Sequence, residues 1–319
     1  MFARVLALTT LCSLGCAQMT FRGVISGYIL DARSGTLRPV LGSPGAAYLG
    51  SALPLGWGVT AAAVRGSRDV AVAISNEQPR RAYVLHGLSA AVTAVSLDAA
   101  LPDSDRAFLS ADGSAAAIVF TSQNQVQLVT NLASAPAVSD PVPLALRGNI
   151  TAVAVSNSGC ALVAGADSQS GQVVELCAAN PGAVISVFDR GAFRPTAVAW
   201  LSNQSVAVAD AASNQVLLFA LDGSAPTVLL DQSSGIDSPV GLAAVDSSTL
   251  AVAIAGSAAL VVARTDGSQP PRIVPLPAAP TKLAALDTPS ILVSNDLLDF
   301  PLLLVNAQQD YSAFFVPMN

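Results

Sequence analysis

The hexapeptide Val59-Thr60-Ala61-Ala62-Ala63-Val64 recurs along the chain. It returns as Ile150-Thr151-Ala152-Val153-Ala154-Val155, Pro195-Thr196-Ala197-Val198-Ala199-Trp200, Pro239-Val240-Gly241-Leu242-Ala243-Ala244 and Pro280-Thr281-Lys282-Leu283-Ala284-Ala285, with a degenerate copy near Arg106. The units repeat every roughly 40–47 residues, a period typical of stacked supersecondary units. Such a repeat constrains the fold strongly, because one unit cannot bury its own apolar faces and must pack on its neighbours.

Each unit carries further short apolar runs separated by Gly, Asp, Asn, Ser and Pro, a strand-and-turn pattern. Second strands are expected at 70–74, 115–120, 161–164, 206–209, 250–254 and 291–293. Third strands start at Gln125-Val126-Gln127-Leu128, Gln172-Val173-Val174-Glu175 and Gln215-Val216-Leu217-Leu218. Asp112-Gly113 and Asn157-Ser158-Gly159 fall between first and second strands, Asp222-Gly223 and Asp266-Gly267 between third and fourth. These aspartates read as turn formers and not as calcium ligands, since no loop has D-x-[DN]-x-[DN]-G spacing.

The predicted architecture is all-β: a β-propeller of four-stranded blades, occupying residues 18–319 as one domain. The small apolar first strands are expected innermost, packed on both faces near the channel. Six units run from about Trp57 onward. Strand candidates at 21–30, 36–41 and 46–49 either form a seventh, irregular blade or close the ring by pairing with the last blade. Seven blades is the expected count and six the alternative.

The unit Pro195-Thr196-Ala197-Val198-Ala199-Trp200, then Val206-Ala207-Val208-Ala209-Asp210, then Asn214-Gln215-Val216-Leu217-Leu218-Phe219 resembles NHL or YVTN-type propeller repeats. Tyr28-Ile29-Leu30-Asp31-Ala32-Arg33-Ser34-Gly35 resembles a YVTN-type third strand and turn. The resemblance spans most of residues 57–319. It implies the propeller fold and a range of roles, from extracytoplasmic scaffolds and protein-binding modules to lactone-hydrolysing relatives, without selecting one.

Arg4, the apolar stretch 5–14 and the small residues Gly15-Cys16-Ala17 form an export-signal pattern, with cleavage expected after Ala17 and a secreted or periplasmic mature chain. The rival reading is a lipoprotein signal with a lipid anchor on Cys16. The run is too short to span a bilayer. Net charge is −6 and Lys282 is the only lysine. With no basic stripe to displace phosphate counterions, nucleic acid is excluded as a partner. Aromatic residues are only 5% and the strands are short, which argues against an outer-membrane barrel.

Export would place Cys160 and Cys177 in an oxidising compartment. Cys160 starts a second strand and Cys177 ends a third, so the hairpin sets them opposite each other, and a disulfide is expected. His86, the only histidine, cannot supply an imidazole zinc site, and no G-x-S-x-G elbow accompanies it. It reads as a strand-end residue on an outer strand. No metal site and no cofactor are expected. Asn149 and Asn203 stand in glycosylation sequons.

The candidate ligand-binding residues directly follow second strands: Asn76, Asp167, Asp210 and Asn295, with Ser122 and Gly256 at the matching places of other units. Their loops should converge on one face, where amide and carboxylate groups suit a cation or polar ligand. The opposing reading is that each caps its own turn. Arg194 and Trp57 precede first strands and should reach the same face. The functional expectation is a monomeric binding or scaffolding module for a protein or small polar ligand, since no complete catalytic set is visible. The alternative is a hydrolase or lactonase with a metal in the central channel.

Overall fold

The computed structural model describes residues 24–286, 290–294, 302–306 and 311–317. The expected leader at 1–17, with Cys16, and the candidate Asn295 lie outside the described residues.

The chain folds as an all-β propeller. Blade 1 comprises Val59–Arg65, Val70–Ser75, Ala82–His86 and Thr93–Ser96; blade 2 comprises Arg106–Leu109, Ala116–Phe120 and Gln125–Thr130, with an outer strand broken into Ala137–Val138 and Val142–Pro143. Blade 3 comprises Asn149–Val155, Cys160–Ala166, Ser170–Cys177 and Asn180–Gly191, and blade 4 Pro195–Ser202, Ser205–Asp210, Gln215–Ala220 and Thr227–Leu230. Blade 5 comprises Pro239–Asp246, Thr249–Ile254, Ala259–Arg264 and Arg272–Pro275, and blade 6 Lys282–Ala285, Ser290–Ser294, Leu302–Asn306 and Ala313–Val316. All pairings are antiparallel, in chain order from the inside out.

The six four-stranded blades match the alternative count. A three-stranded sheet of Ile25–Asp31, Thr36–Leu41 and Tyr48–Leu49 accounts for the N-terminal strand candidates. Among the described residues it has three strands and none paired to blade 6, and side chains pack it on both neighbours. Tyr28 and Leu37 share a core with Val59, Ala71 and Leu85 of blade 1. Ile29, Val40 and Leu49 share another with Leu304 and Val316 of blade 6. The sheet is therefore a thin wedge between the first and last blades.

Burial corrects one expectation. The second strands are the most enclosed: every residue of Val70–Ser75 and of Thr249–Ile254 is buried. First strands such as Val59–Arg65 are mostly half-buried, because they border the central channel while second strands are flanked by blades on both faces. Alanine and valine suit that sandwiching, where adjacent sheets approach closely. A second correction concerns His86, which ends the third strand of blade 1 and not an outer one; Thr93 of the outer strand lies opposite it.

First strands share a feature that the residue pattern did not reveal. Register shifts fall between Ile25 and Gly27, Val59 and Ala61, Ile150 and Ala152, Pro195 and Ala197, and Pro239 and Gly241. The residue skipped is Ser or Thr in four of them, and its hydroxyl donates to a backbone carbonyl: Ser26 to Gly42 at 2.5 Å, Thr60 to Ile74 at 3.2 Å, Thr151 to Ala164 at 3.3 Å, Thr196 to Ala209 at 3.4 Å. Thr196 also reaches Pro239 O of the next blade at 2.6 Å, tying neighbours together. The recurring Thr is thus a bulge residue that satisfies a carbonyl where the ladder shifts.

Candidate functional site: the loop face and its rim groove

The loops after second strands and those before first strands share one face. The amide of Asn76 donates to Gly58 O at 2.8 Å, that of Ala211 to Arg194 O at 3.0 Å, and that of Gly256 to Asp237 O at 3.1 Å. The contacts in blades 1 and 4 are equivalent; their counterpart in blade 5 is the Ala255 amide on Ser238 O at 3.1 Å, and the Gly256 contact lies one residue further out. A Cβ on Gly58 would collide with the Asn76 side chain, and one on Gly256 with the Asp237 carboxylate.

Of the described candidates, Asp167 and Asp210 are held by the loops around them. Asp210 is only 2% exposed. Its carboxylate accepts from the amides of Arg194 and Ala212, both at 2.9 Å, and from Ser213 Oγ at 2.6 Å. Asp167 is exposed and accepts from the amides of Gln169 at 2.7 Å and Ser170 at 2.8 Å. Those amides, Gln169 first, hold its carboxyl below the ordinary aspartate range, since hydrogen bonding favours the charged form. Asn76 and Ser122 are exposed, and the Arg194 side chain is exposed beside its committed amide. Trp57 stacks on Tyr83 at 4.6 Å between centroids and packs at the margin of the core joining the N-terminal sheet to blade 1. Turn capping, the opposing reading, accounts for Asp167 and Asp210.

The same chemistry recurs at the other turns. In Asp112-Gly113-Ser114, Asp222-Gly223-Ser224, Asp231-Gln232-Ser233, Asp246-Ser247-Ser248 and Asp266-Gly267-Ser268, the serine amide donates back to the aspartate Oδ1 at 2.7–3.0 Å. Three of these aspartates, Asp112, Asp222 and Asp266, are the turn formers expected from the sequence.

A groove of about 440 Å³ opens at the rim between blades 4 and 5. Asp231 caps the short 3₁₀ turn Gln232–Ser234, and Gly235 ends it at φ 85°. Its positive φ favours glycine, and the end of the Ile273 side chain lies against it. That turn delivers Ile236 to the floor, beside Ala259, while Ile273 and Pro275 of the outer strand form an apolar wall. Gln232, Asp237 and Ser257 supply the polar lip. Ile273 is 54% exposed. The expected set of site residues missed this groove, since its walls come from the irregular connection and the least regular strand.

Away from the groove, Cys160 and Cys177 form the expected disulfide as directly opposed residues of adjacent strands. Glu175, two residues from Cys177, has its carboxyl pushed above the ordinary range by burial. Among the described residues no helix is long and apolar enough to cross a membrane.

The fold and these sites define a β-propeller with a loop face and a rim groove. No family model and no curated protein matches the chain. Solved structures do resemble it. The hydrazine synthase of Kuenenia stuttgartiensis aligns at TM-score 0.63 and 12% identity, over 93% of this chain and 100% of that one. Virginiamycin B lyase from Staphylococcus aureus aligns at TM-score 0.59 and 11% identity, over 83% and 87%. A chain of a nidogen/laminin complex aligns at 0.51 and 9%, over 76% and 90%. At these identities the likeness is one of fold.

Proposed function

We propose that this propeller is a non-enzymatic binding or scaffolding module working outside the cytoplasm, and that the groove between blades 4 and 5 holds its ligand. The observation that carries this reading is the groove's make-up: an apolar floor and wall from Ile236, Ala259, Ile273 and Pro275 under a lip of Gln232, Asp237 and Ser257. Binding sites combine these parts, apolar area for affinity and few polar groups for orientation. A small ligand or protein side chain with an apolar body and a hydrogen-bonding end fits it. The disulfide supports an oxidising compartment.

Replacing Ile273 and Ser257 by arginine fills the groove without touching the buried second strands. Envelope-extract partners retained by the wild-type protein should be lost from the double variant, and retention at equal strength rejects the groove as the site. The metal-hydrolase alternative has less support, because Asp167 and Asp210 already accept two or three donors each. A rise in melting temperature with calcium or zinc, absent in Asp210→Ala, would restore it.

A further inference from the structure

The outer strand of blade 3, Asn180–Gly191, runs for 12 residues. The other outer strands have 2 or 4. Short outer strands, flanked here by prolines such as Pro226, Pro271 and Pro317, are the usual protection against pairing with other chains. Blade 3 lacks it. Residues 184–191 stay in register with the third strand from Leu176 to Ser170, interrupted by a bulge at Val187. Their far edge ends the sheet, so among the described residues no strand pairs with it. Val184 and Ile185 are 38% and 58% exposed. As consecutive strand residues they project to opposite faces of the sheet. The hairpin that starts this strand is fixed beneath it, because Cys177 pairs with Asn180 and is bonded to Cys160.

We propose that this edge binds an extended peptide of another protein by strand addition. The unpaired backbone groups call for an extended partner, and the exposed Val184 and Ile185 call for apolar, β-branched residues at consecutive positions. At the far end, Arg190 is exposed and Arg147 lies 3.0 Å from Asp189. Asp189 and the nearby Asp167 offset Arg147, which leaves Arg190 as the exposed cation complementary to an acidic residue following the apolar run. A second copy of this chain is the lesser fit. The paired stretch is roughly 27 Å long and a sheet about 10 Å thick, so edge-to-edge contact buries about 500 Å² in total, well under the roughly 1,200 Å² of a stable interface.

The test uses the full chain and a fluorescein-labelled synthetic peptide, Thr-Val-Thr-Val-Ile-Val-Glu-Glu, with binding read by anisotropy. The expected result is saturable binding that weakens at least tenfold in Ile185→Lys, is lost when alternate amides of the peptide are N-methylated, and persists when the rim groove is filled. Ile185 is exposed, so the variant should keep the wild-type melting temperature, and Val184→Lys repeats the test on the other face. Three outcomes overturn the proposal: no binding up to about 1 mM peptide, equal binding by the N-methylated peptide, or a sedimenting dimer of the unliganded chain that Ile185→Lys dissolves.

Discussion

The backbone amide of Arg194 points at Asp210 Oδ1 from 2.9 Å, joining the loop before blade 4 to the end of that blade's second strand. With Ala212 and Ser213 completing the set, a nearly inaccessible carboxylate organises two loops at once. Hydrogen bonds to a charged group each contribute more than neutral ones, and removing the acceptor leaves its donors short of a partner. Asp210→Ala should therefore lower unfolding free energy by roughly 2–3 kcal/mol in urea titration. Asp167→Ala, at a fully exposed turn, should cost distinctly less. Equal losses at both sites would contradict the distinction drawn between them.

The bond between Cys160 and Cys177 closes a loop with a sequence separation of 17. On the chain-entropy model a loop of this size contributes roughly 3 kcal/mol by restricting the unfolded chain. The Cys160→Ser, Cys177→Ser double variant should lose about that much unfolding free energy, read as a lower denaturation midpoint, with an otherwise unchanged fold. Adding a reductant to the wild type should reproduce the loss and leave the double variant unaffected.

Acid should destabilise the protein through its turn aspartates. At Asp222 the Ser224 amide, and at Asp231 and Asp266 the hydroxyls of Ser233 and Ser268, lead the interactions that lower the carboxyl. At Asp112 and Asp246 burial pulls upward, yet the combined serine hydrogen bonds prevail and the net shift is downward. A carboxyl lowered in the folded state contributes stability that is complete above its unfolded value of about 3.9 and disappears as pH falls through the folded one. Melting temperature should therefore drop steeply below about pH 4.

Glu175 has the opposite sign. Burial raises its folded value, so its contribution is full below the unfolded value and is lost as pH rises through the folded one. Glu175→Gln should raise the melting temperature at pH 7 and leave it unchanged near pH 3.5, a pairing that calorimetry at the two pH values can check. A loss at pH 7 would mean that the carboxylate has a stabilising partner.

Much of the architecture could be read from the residues because the propeller repeats itself. Val59-Thr60-Ala61 and its copies mark first strands, and Cys160 and Cys177 could be placed opposite each other from strand phase alone. The site was less legible. Asp and Asn after second strands carry the same residue types whether they bind a ligand or cap a turn, and only the structure shows Asp210 facing Arg194, Ala212 and Ser213. The groove joins Ile236 on the blade 4–5 connection to Ile273 and Pro275 of the outer strand, segments far apart in sequence with no periodic signature. The long edge at 180–191 was hidden similarly, since Val184-Ile185-Ser186-Val187-Phe188 reads as an ordinary strand until its length is set beside its neighbours.

Closure of the ring is the last feature open to direct test. Leu304 and Val40 are both fully buried where blade 6 meets the N-terminal sheet, with Leu49 and Val316 around them. Truncating a fully buried leucine removes its transfer energy and leaves a cavity, so Leu304→Ala should cost roughly 3–5 kcal/mol. Deleting residues 24–50 should do more, because it strips the cover from Val59, Ala71 and Leu85 on blade 1 as well as from Leu304 on blade 6. Two apolar blade faces would then meet water, and the shortened chain should aggregate or bind a hydrophobic dye on size-exclusion chromatography. If it instead ran as a stable, dye-negative monomer, six blades would be able to close by themselves and the thin wedge would be an accessory.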